Sequence, residues 1–459
     1  MNERQPRVQP ARRVAYDVIA AVRESDAYAN LLLPSRIARA GLDSADAGLA
    51  TELTYGTLRM QGYYDRVIAR AAGRPVDRID PPILDVLRLG AHQLLSTRVA
   101  PHAAVNESVA LARAVGSRSA TGFTNGVLRE IGRHTAEEWR ERVLADAKNP
   151  DDELSAVTSH PAWVVRAFRR ALEAEGRGEE LTQLLEADNR APRVNMIALP
   201  GLAGAPDGAQ PDRFSPPGFT VGGGDPQRLV EASDGRVRVQ DEGSQLAALA
   251  LSRARPVQPG ELWLDLCAGP GGKAALLAAE AGAGGARLIA NELVPARAQL
   301  VRNALAAVPH PVEVWERDGT TVGDSDAGRF DRILLDAPCT GLGALRRRPE
   351  ARWRKAPKDV AELASLQARL LDSAVAALKP GGVLAYITCS PHLGETRSIV
   401  ADALERHAGR LEPLETAAVV QELAVERLDL AGDPARVQLW PHRHNTDAMF
   451  IALLTTRAL

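Results

Sequence analysis

The spacing of apolar residues changes character along the chain. From Ala11 to about Gly132 they recur every three or four positions, the period of amphipathic helices. Val14, Val18, Ile19 and Val22 mark one face, Leu49, Leu53 and Leu58 a second, and Ile83, Leu84, Leu87, Leu94 and Leu95 a third. Asp80-Pro-Pro and Pro101-His-Ala-Ala each open a helix, since proline at the first helical position gives up no hydrogen bond. Short breakers separate these elements and no fixed period repeats, which predicts an all-α bundle rather than a solenoid, behind a basic, proline-containing tail over residues 1–10. Residues 133–190 stay helical in pattern but are more charged, with Trp139, Trp163 and Phe168 as core anchors. Ser159-His-Pro-Ala-Trp reads there as a capped helix start.

From Ala191 to about Gly235 the composition shifts to Gly, Pro and Asp, with short β-like pieces such as Arg193-Val-Asn-Met-Ile-Ala-Leu. After Val237, strand-like and helix-like runs alternate, the pattern of a doubly wound parallel sheet. Strands are expected at 262–266, 287–293, 312–317, 331–335 and 382–388, with helices at 273–282, 295–307, 359–378 and 395–407. Residues 437–440 and 449–454 read as a closing pair of strands. The chain is thus expected to be multidomain: a helical bundle at 1–135, a small helical or α+β linker module at 136–236, and a Rossmann-like α/β domain at 237–459.

Composition narrows the setting. A chain of 459 residues exceeds one ordinary core, and 45% hydrophobic with 25% charged residues describes a soluble protein. The net charge of −2 gives no bulk attraction to nucleic acid, so any basic surface must be local. Three cysteines form no disulfide framework and suit a reducing cytosol. No apolar run approaches the roughly twenty residues of a membrane span. Met-Asn-Glu-Arg-Gln-Pro-Arg also lacks the apolar core of a signal peptide. A cytoplasmic protein without membrane contact is expected.

The stretch with the most chemical content is Leu262-Trp-Leu-Asp-Leu-Cys-Ala-Gly-Pro-Gly-Gly-Lys, a buried strand emptying into a glycine turn and a helix start. Glycines let the backbone approach a ligand, and free N–H groups with the helix dipole favour anionic groups. A Walker phosphate loop is excluded, because Cys267 stands at its first glycine and Ala274 replaces the metal-binding hydroxyl. G-x-G-x-x-G is also absent, but Glu292 follows at the distance where such folds hold a ribose. A purely structural turn would explain two glycines but not the whole set; a nucleoside-bearing cofactor does. Cys267 lies within the turn and reads as a packing or backbone contact.

Two more strands end in chemistry. Phe330-Asp-Arg-Ile-Leu-Leu-Asp-Ala-Pro-Cys-Thr-Gly brings Asp336 and Cys339 to its carboxyl end, and Gly381-Gly-Val-Leu-Ala-Tyr-Ile-Thr-Cys-Ser brings Cys389 to the same edge. A lone unpaired cysteine usually just packs; two at matching strand ends beside a cofactor turn suggest one pocket. Arg346, Arg347, Arg348, Arg352, Arg354 and Lys355 surround Trp353 directly afterwards. A charge run is ordinarily a solvated loop, but this position suggests a phosphate-tracking strip with Trp353 stacking on a base. His442, His444 and Asp447 lack a third well-spaced ligand set, so polar residues lining a cleft are expected there and no metal.

Asp265-Leu-Cys-Ala-Gly-Pro-Gly-Gly-Lys, Asp336-Ala-Pro-Cys-Thr-Gly and Thr388-Cys-Ser-Pro together resemble motifs of the RNA cytosine-C5 methyltransferases, most closely the bacterial 16S ribosomal RNA enzymes of the RsmB (Sun) type. Val239-Gln-Asp-Glu-Gly-Ser-Gln and Asn445-Thr-Asp are similar to further motifs of that family. Asn106-Glu-Ser-Val and Phe123-Thr-Asn-Gly-Val-Leu-Arg resemble its NusB-like RNA-binding domain. The turn departs mildly, with Ala-Gly-Pro where Ala-Ala-Pro is common, and Asp447-Ala-Met-Phe stands where Asp-Gly-Phe-Phe is usual. The resemblance implies S-adenosylmethionine as methyl donor, with Cys267, Ala268, Gly269, Pro270, Gly271, Gly272 and Lys273 around its methionine end. Glu292 would take the ribose, Asp318 the adenine, and Asp336 the region of the reacting centre.

The expected chemistry follows. Carbon 5 of cytosine is a poor nucleophile until a thiolate adds to carbon 6. A carboxylate near N3, Asp336, would stabilise the resulting enamine, and a base must then remove the C5 proton. Chemistry alone does not rank the two cysteines, because DNA cytosine methylases use a Pro-Cys nucleophile. By resemblance Cys389 is the nucleophile and Cys339 assists proton removal or release. The target base must be unpaired or flipped. The expected partner is 16S ribosomal RNA, free or in a partly assembled small subunit, and the protein is expected to act as a monomer. A tRNA or DNA cytosine methylase, or an RNA-binding assembly factor that has lost activity, are the competing readings. The helical domain weighs against the first and the intact motifs against the second.

Overall fold

The computed structural model describes residues 8–25, 27–222 and 224–457, the Arg118 side chain excepted. Residues 1–7, which carry most of the expected basic tail and the segment weighed as a signal peptide, lie outside it. The chain forms two compact units. One comprises the chain to Arg166 with Leu185–Arg190 and Leu345–Arg354; the other comprises Ala167–Leu184, Ala191–Ala344 and the chain from Lys355. The three consecutive segments expected at 1–135, 136–236 and 237–459 are therefore cut differently. Leu345–Arg354, from within the α/β sequence, is part of the helical unit.

The first unit is helical, through Pro10–Ser25, Ala29–Ala40, Ser44–Arg59, Gln61–Ala72, Pro81–Ser96, Pro101–Val115 and Arg118–Ile131, then Ala136–Leu144 and Pro150–Thr158. Val14, Val18, Ile19, Leu53, Leu58, Ile83 and Leu87 are buried in one core, whereas Leu49, Leu94 and Leu95 are only half-buried against it. Trp139 is buried and donates its indole N–H to the Ile131 carbonyl at 2.9 Å. Ser159 departs from expectation. It does not cap the helix that follows; with φ of 57° it closes Pro150–Thr158, and its Oγ accepts from Gly62 N at 2.9 Å. Pro161 disfavours a helical conformation at His160, so the next helix begins only at Ala162.

The second unit carries two sheets. The glycine- and proline-rich stretch forms a small antiparallel sheet of β1 (Asn195–Ala198), β2 (Gln210–Pro211), β3 (Gly218–Thr220) and β4 (Val237–Val239), ordered β2-β3-β1-β4. The main sheet holds β5 (Leu262–Asp265), β6 (Arg287–Asn291), β7 (Glu313–Trp315), β8 (Phe330–Asp336), β9 (Leu378–Thr388), β10 (Leu411–Pro413), β11 (Val437–Gln438) and β12 (Phe450–Thr456). Its order is β10-β12-β9-β8-β5-β6-β7, with β11 paired to β12. The strands from β5 to β9 are parallel, but β12 runs antiparallel to β9, β10 and β11. The sheet is thus mixed rather than purely parallel. Its final strand is inserted between β9 and β10, where an apolar run such as Phe450-Ile-Ala-Leu-Leu is covered on both faces.

One face packs Leu246–Leu251, Ala274–Leu277 and Leu305; the other packs Leu370, Leu371, Ala374 and Ile399. From β5 the chain winds one way through β6 and β7, and β8 and β9 extend the other way. The carboxyl ends of β5 and β8 are thus the switch point where open α/β sheets bind ligands.

Candidate active site

The turn after β5 is shaped by two glycines with different reasons for being glycine. Gly271 has φ of +106°, and a Cβ there would stand 2.5 Å from Ala304 Cβ and 3.0 Å from Val301 Cα. At Gly269 a Cβ would stand 2.2 Å from Glu292 Oε2. The buried Glu292 carboxylate closes the turn from the end of β6, accepting from Gly269 N at 3.1 Å and Val294 N at 3.0 Å. Arg297 donates to the Gly269 carbonyl at 2.9 Å and lies 3.4 Å from Glu292 Oε2. Asn291 fastens the neighbouring strand ends: its amide donates to the carbonyls of Leu266 and Arg317 and its Oδ1 accepts from Arg317 N. Asp318 is exposed and caps a short turn, accepting from Thr320 N and Oγ1, which hold its carboxyl below the usual range. Cys267 is half-buried and packs against the core.

Next to the turn is a chain of charge. Lys273 donates to Asp336 Oδ2 at 2.7 Å. Burial alone would lower the lysine pKa, but Asp336 outweighs it and raises it. Behind them Asp265, buried and with Oδ1 lacking a hydrogen-bond partner, is pushed up to about 8 by desolvation and then by Asp336.

The ends of β8 and β9 bring the two thiols together. Beyond Asp336 the ladder continues for one more bond, Ala337 N donating to the Ile387 carbonyl within β9, and Cys339 Sγ lies 3.4 Å from Cys389 Sγ. The Cys339 thiol is held well above its ordinary pKa, first by its bond to Cys389 and then by burial, with Glu395 and Asp336 adding to the effect. Gly343 N donates to the Cys389 carbonyl and Gly343 O accepts from Ala448 N, so closely that a Cβ at Gly343 would stand 2.2 Å from the Ala448 oxygen. Asp336, Lys273, Cys339 and Cys389 therefore form one constellation beside the glycine turn.

Other expected site residues are placed elsewhere. Arg352 is wholly buried in the helical unit, donating to the carbonyls of Arg59, Ser159 and Asp188 and to Asn189 Oδ1. Burial lowers its pKa to about 10. Arg346 is buried too, and Arg354 donates to the Val22 and Ala27 carbonyls. Arg352 and Arg354 are turned toward backbone carbonyls rather than solvent, and Arg346 is buried; Arg348 and Trp353 are exposed, and Arg347 and Lys355 half-buried. His442, His444 and Asp447 are held by other protein groups. His442 pairs with Glu180 at 2.7 Å, and Asp447 N donates to Asp241. His444 is buried with Nδ1 accepting from Trp440 N, and burial lowers its pKa to about 4. Among the described residues no group of three or more His, Cys, Asp or Glu is placed to hold a metal.

Sequence reasoning missed Asn291, Asp265 as a buried acid, and Glu395. Glu395 stands beyond the Thr-Cys motif in Leu393-Gly-Glu-Thr, a pattern that reads as an ordinary surface turn.

Comparison with known proteins bears on this constellation. A family model described as 16S rRNA methyltransferase RsmB/F matches residues 254–455, and a NusB family model matches residues 9–133. The chain is 33% identical over 422 residues to the ribosomal RNA small subunit methyltransferase B of Pseudomonas putida, covering 89% of this chain and 90% of that one. The chain belongs to the RsmB/F methyltransferase family.

It is 48% identical over 453 residues to Rv1407 of Mycobacterium tuberculosis, to which a methyltransferase activity is ascribed, covering 97% of this chain and 96% of that one. The crystal structure of PH0851 superposes with a TM-score of 0.78 over 98% of this chain and all of that one, at 22% identity, and so bears on the fold. As an RsmB/F methyltransferase the protein depends on S-adenosylmethionine, and the turn fits that group. At Gly272 a Cβ would meet nothing nearer than the Gln240 side chain at 3.9 Å, so the backbone at the helix start is open, and Glu292 presents a buried carboxylate of the kind that accepts from ribose hydroxyls. No helix among the described residues is long and apolar enough to cross a membrane.

Proposed function

We propose that this RsmB/F methyltransferase transfers a methyl group to carbon 5 of a cytosine in 16S ribosomal RNA through a covalent bond between Cys389 and carbon 6 of the base. The observation that carries this reading is the pair of thiols 3.4 Å apart at adjoining strand ends, next to a lysine-paired carboxylate. One nucleophilic sulfur would serve a simple displacement; two suggest that a bond to sulfur is both made and broken.

The two sulfurs are within 3.4 Å of each other and either can donate to the other, so a proton can pass between them. Cys389 is taken as the nucleophile because it stands in the Thr-Cys motif that resembles the family's nucleophile. Cys389 adds to carbon 6 while the Lys273–Asp336 pair delivers a proton to N3, so the displaced electron pair rests in a neutral enamine that Asp336, held by Lys273, binds through hydrogen bonds from N3–H and the 4-amino group. S-adenosylmethionine, when bound, supplies an electrophilic methyl; Glu292, Asp318 and the backbone from Cys267 to Lys273 would hold it, with Asp336 at the reacting end. After methyl transfer Cys339, once its own proton has passed to solvent, takes the C5 proton; the C–H electron pair re-forms the C5–C6 double bond, the Cys389 thiolate leaves, and the N3 proton returns to the Lys273–Asp336 pair. The target cytosine must be out of its stack, in free 16S RNA or in a partly assembled subunit.

The test is methyl transfer from labelled S-adenosylmethionine to unmethylated 16S RNA, followed by digestion to nucleosides. One methyl on carbon 5 of cytosine supports the reading; transfer only to a ring nitrogen or to protein refutes it.

A further inference from the structure

Glu395 lies in the short turn Leu393–Glu395 after β9, and its side chain is completely buried. Burying a carboxylate is costly unless strong hydrogen bonds replace its water. Here they do. Oε1 accepts from Thr340 N at 2.7 Å, and Oε2 accepts from Thr340 Oγ1 at 2.5 Å and from Ser390 Oγ at 2.6 Å. Thr340 directly follows Cys339, and Ser390 directly follows Cys389. One carboxylate thus grips the residue next to each sulfur, with short, charge-assisted bonds.

The grip is itself anchored. Tyr386 Oη, from β9, donates to the Glu395 carbonyl at 2.7 Å, and Glu395 N donates to the His392 carbonyl. Gln367, from the helix Pro357–Ala377, donates to the Pro338 carbonyl at 2.8 Å, on the other side of Cys339. The backbone ladder stops at Ala337, so the turn carrying Cys339 has lost its strand pairing where the distance between the sulfurs must be set.

We propose that Glu395 is a positioning residue that fixes the 3.4 Å separation of Cys339 and Cys389 by bridging Thr340 and Ser390. This rests on the two cysteines being the reacting pair. Glu395 does not touch the base; it acts by holding both sulfurs in one geometry, and misplacement by about 1 Å costs on the order of 100-fold in rate.

The test compares full-length Glu395→Ala and Glu395→Gln with wild type in two assays. The first needs no RNA. Oxidised glutathione closes the Cys339–Cys389 pair: its S–S bond breaks, the two protein thiols each give up a proton and an electron to form one S–S bond, and two glutathione thiols leave. The linked peptides are followed by mass. The second assay separates kcat from KM for RNA methylation, with S-adenosylmethionine binding measured alongside.

Glu395→Ala is expected to slow closure at least about 10-fold and kcat about 100-fold, with S-adenosylmethionine affinity and KM within about 3-fold of wild type. Glu395→Gln is expected to recover both rates to within about 5-fold. Its carbonyl still accepts from Thr340 N, and its NH2 donates to the two hydroxyl oxygens. Closure at the wild-type rate in Glu395→Ala overturns the proposal. So does a Gln variant that closes normally but methylates as poorly as Ala, because the carboxylate would then act by its charge. If Glu395→Ala loses cofactor binding through misfolding, the double variant Thr340→Val, Ser390→Ala decides, slowed closure supporting the proposal and unchanged closure refuting it. Because closure is read without RNA, a failure of the cytosine mechanism is distinguished from a failure of the clamp.

Discussion

Lys273 Nζ lies 2.7 Å from Asp336 Oδ2, which ties the last residue of the glycine turn to the end of a neighbouring strand. The two belong to different motifs, one read as holding a cofactor and the other as facing a base. Their ion pair makes one rigid wall of both. Each partner is mostly shielded from solvent, so the pair is worth more as geometry than a surface salt bridge would be.

Asp336→Asn keeps the shape of that wall and removes its charge. If the carboxylate handles the N3 proton and holds the base, kcat falls by about 100- to 1,000-fold, the loss usual for one preorganised polar group. S-adenosylmethionine affinity, measured by calorimetry, changes far less. A variant that loses cofactor affinity and keeps kcat places Asp336 on the cofactor side alone.

The two sulfurs separate by trapping. Cys389→Ala, incubated with S-adenosylmethionine and unmethylated 16S RNA, is expected to be inactive and to show no slowly migrating band on a denaturing gel. Cys339→Ala is expected to accumulate a covalent protein–RNA complex, because the bond to carbon 6 forms but is not released. The band appearing with Cys389→Ala instead would reverse the roles, and normal methylation by both variants would end the cysteine mechanism.

Much of this site was legible because strand ends and glycine turns leave strong local marks. The run from Leu262 to Lys273, the Pro-Cys and Thr-Cys strand ends and Glu292 all stand at the switch point, as their spacing implies. What the chain did not disclose is direction. A run of arginines has the same composition whether its guanidinium groups face water or buried carbonyls, and Arg352 faces carbonyls. Strand polarity is equally silent: the apolar run of β12 suits either orientation, and only its pairing with β9 makes the sheet mixed. Glu395 was invisible for a third reason. Its partners come from turns about 55 and 5 residues away, and no local pattern links them.

Asp265 makes stability depend on pH in a direction opposite to the usual carboxylate. Desolvation and then Asp336 push its pKa from an ordinary value near 3.8 up to about 8. Between those values the folded protein holds a proton that the unfolded chain has released, so stability falls as pH rises and the loss is complete above about pH 8. The slope attributable to this one group is at most about 1.4 kcal/mol per pH unit. Asp265→Asn abolishes it. Thermal unfolding of the two proteins from pH 5 to pH 9 should show the variant gaining on wild type throughout the rise and levelling off above pH 8. Parallel curves would mean that Asp265 is ionised in the folded protein across that range.

The two glycines of the turn should fail in different ways when given a methyl group. In Gly269→Ala the new Cβ stands 2.2 Å from Glu292 Oε2, the end of a side chain that can swing away. The fold survives that movement, but the carboxylate proposed to hold the ribose leaves its place. The expected result is S-adenosylmethionine affinity reduced by about 10-fold or more, with thermal stability changed by no more than about 1 kcal/mol, as for a local side-chain adjustment. In Gly271→Ala the obstacle is backbone. Its φ of +106° strains any side chain, and the Cβ meets Val301 Cα at 3.0 Å and Ala304 Cβ at 2.5 Å in the helix Pro295–Leu305. Neither can yield without moving that helix, so this variant should lose about 2–4 kcal/mol of stability as well as affinity. Calorimetric binding and thermal unfolding on the same two proteins decide the matter. Equal losses of stability would mean that Glu292 is as immovable as the helix, and that the turn is rigid on both sides.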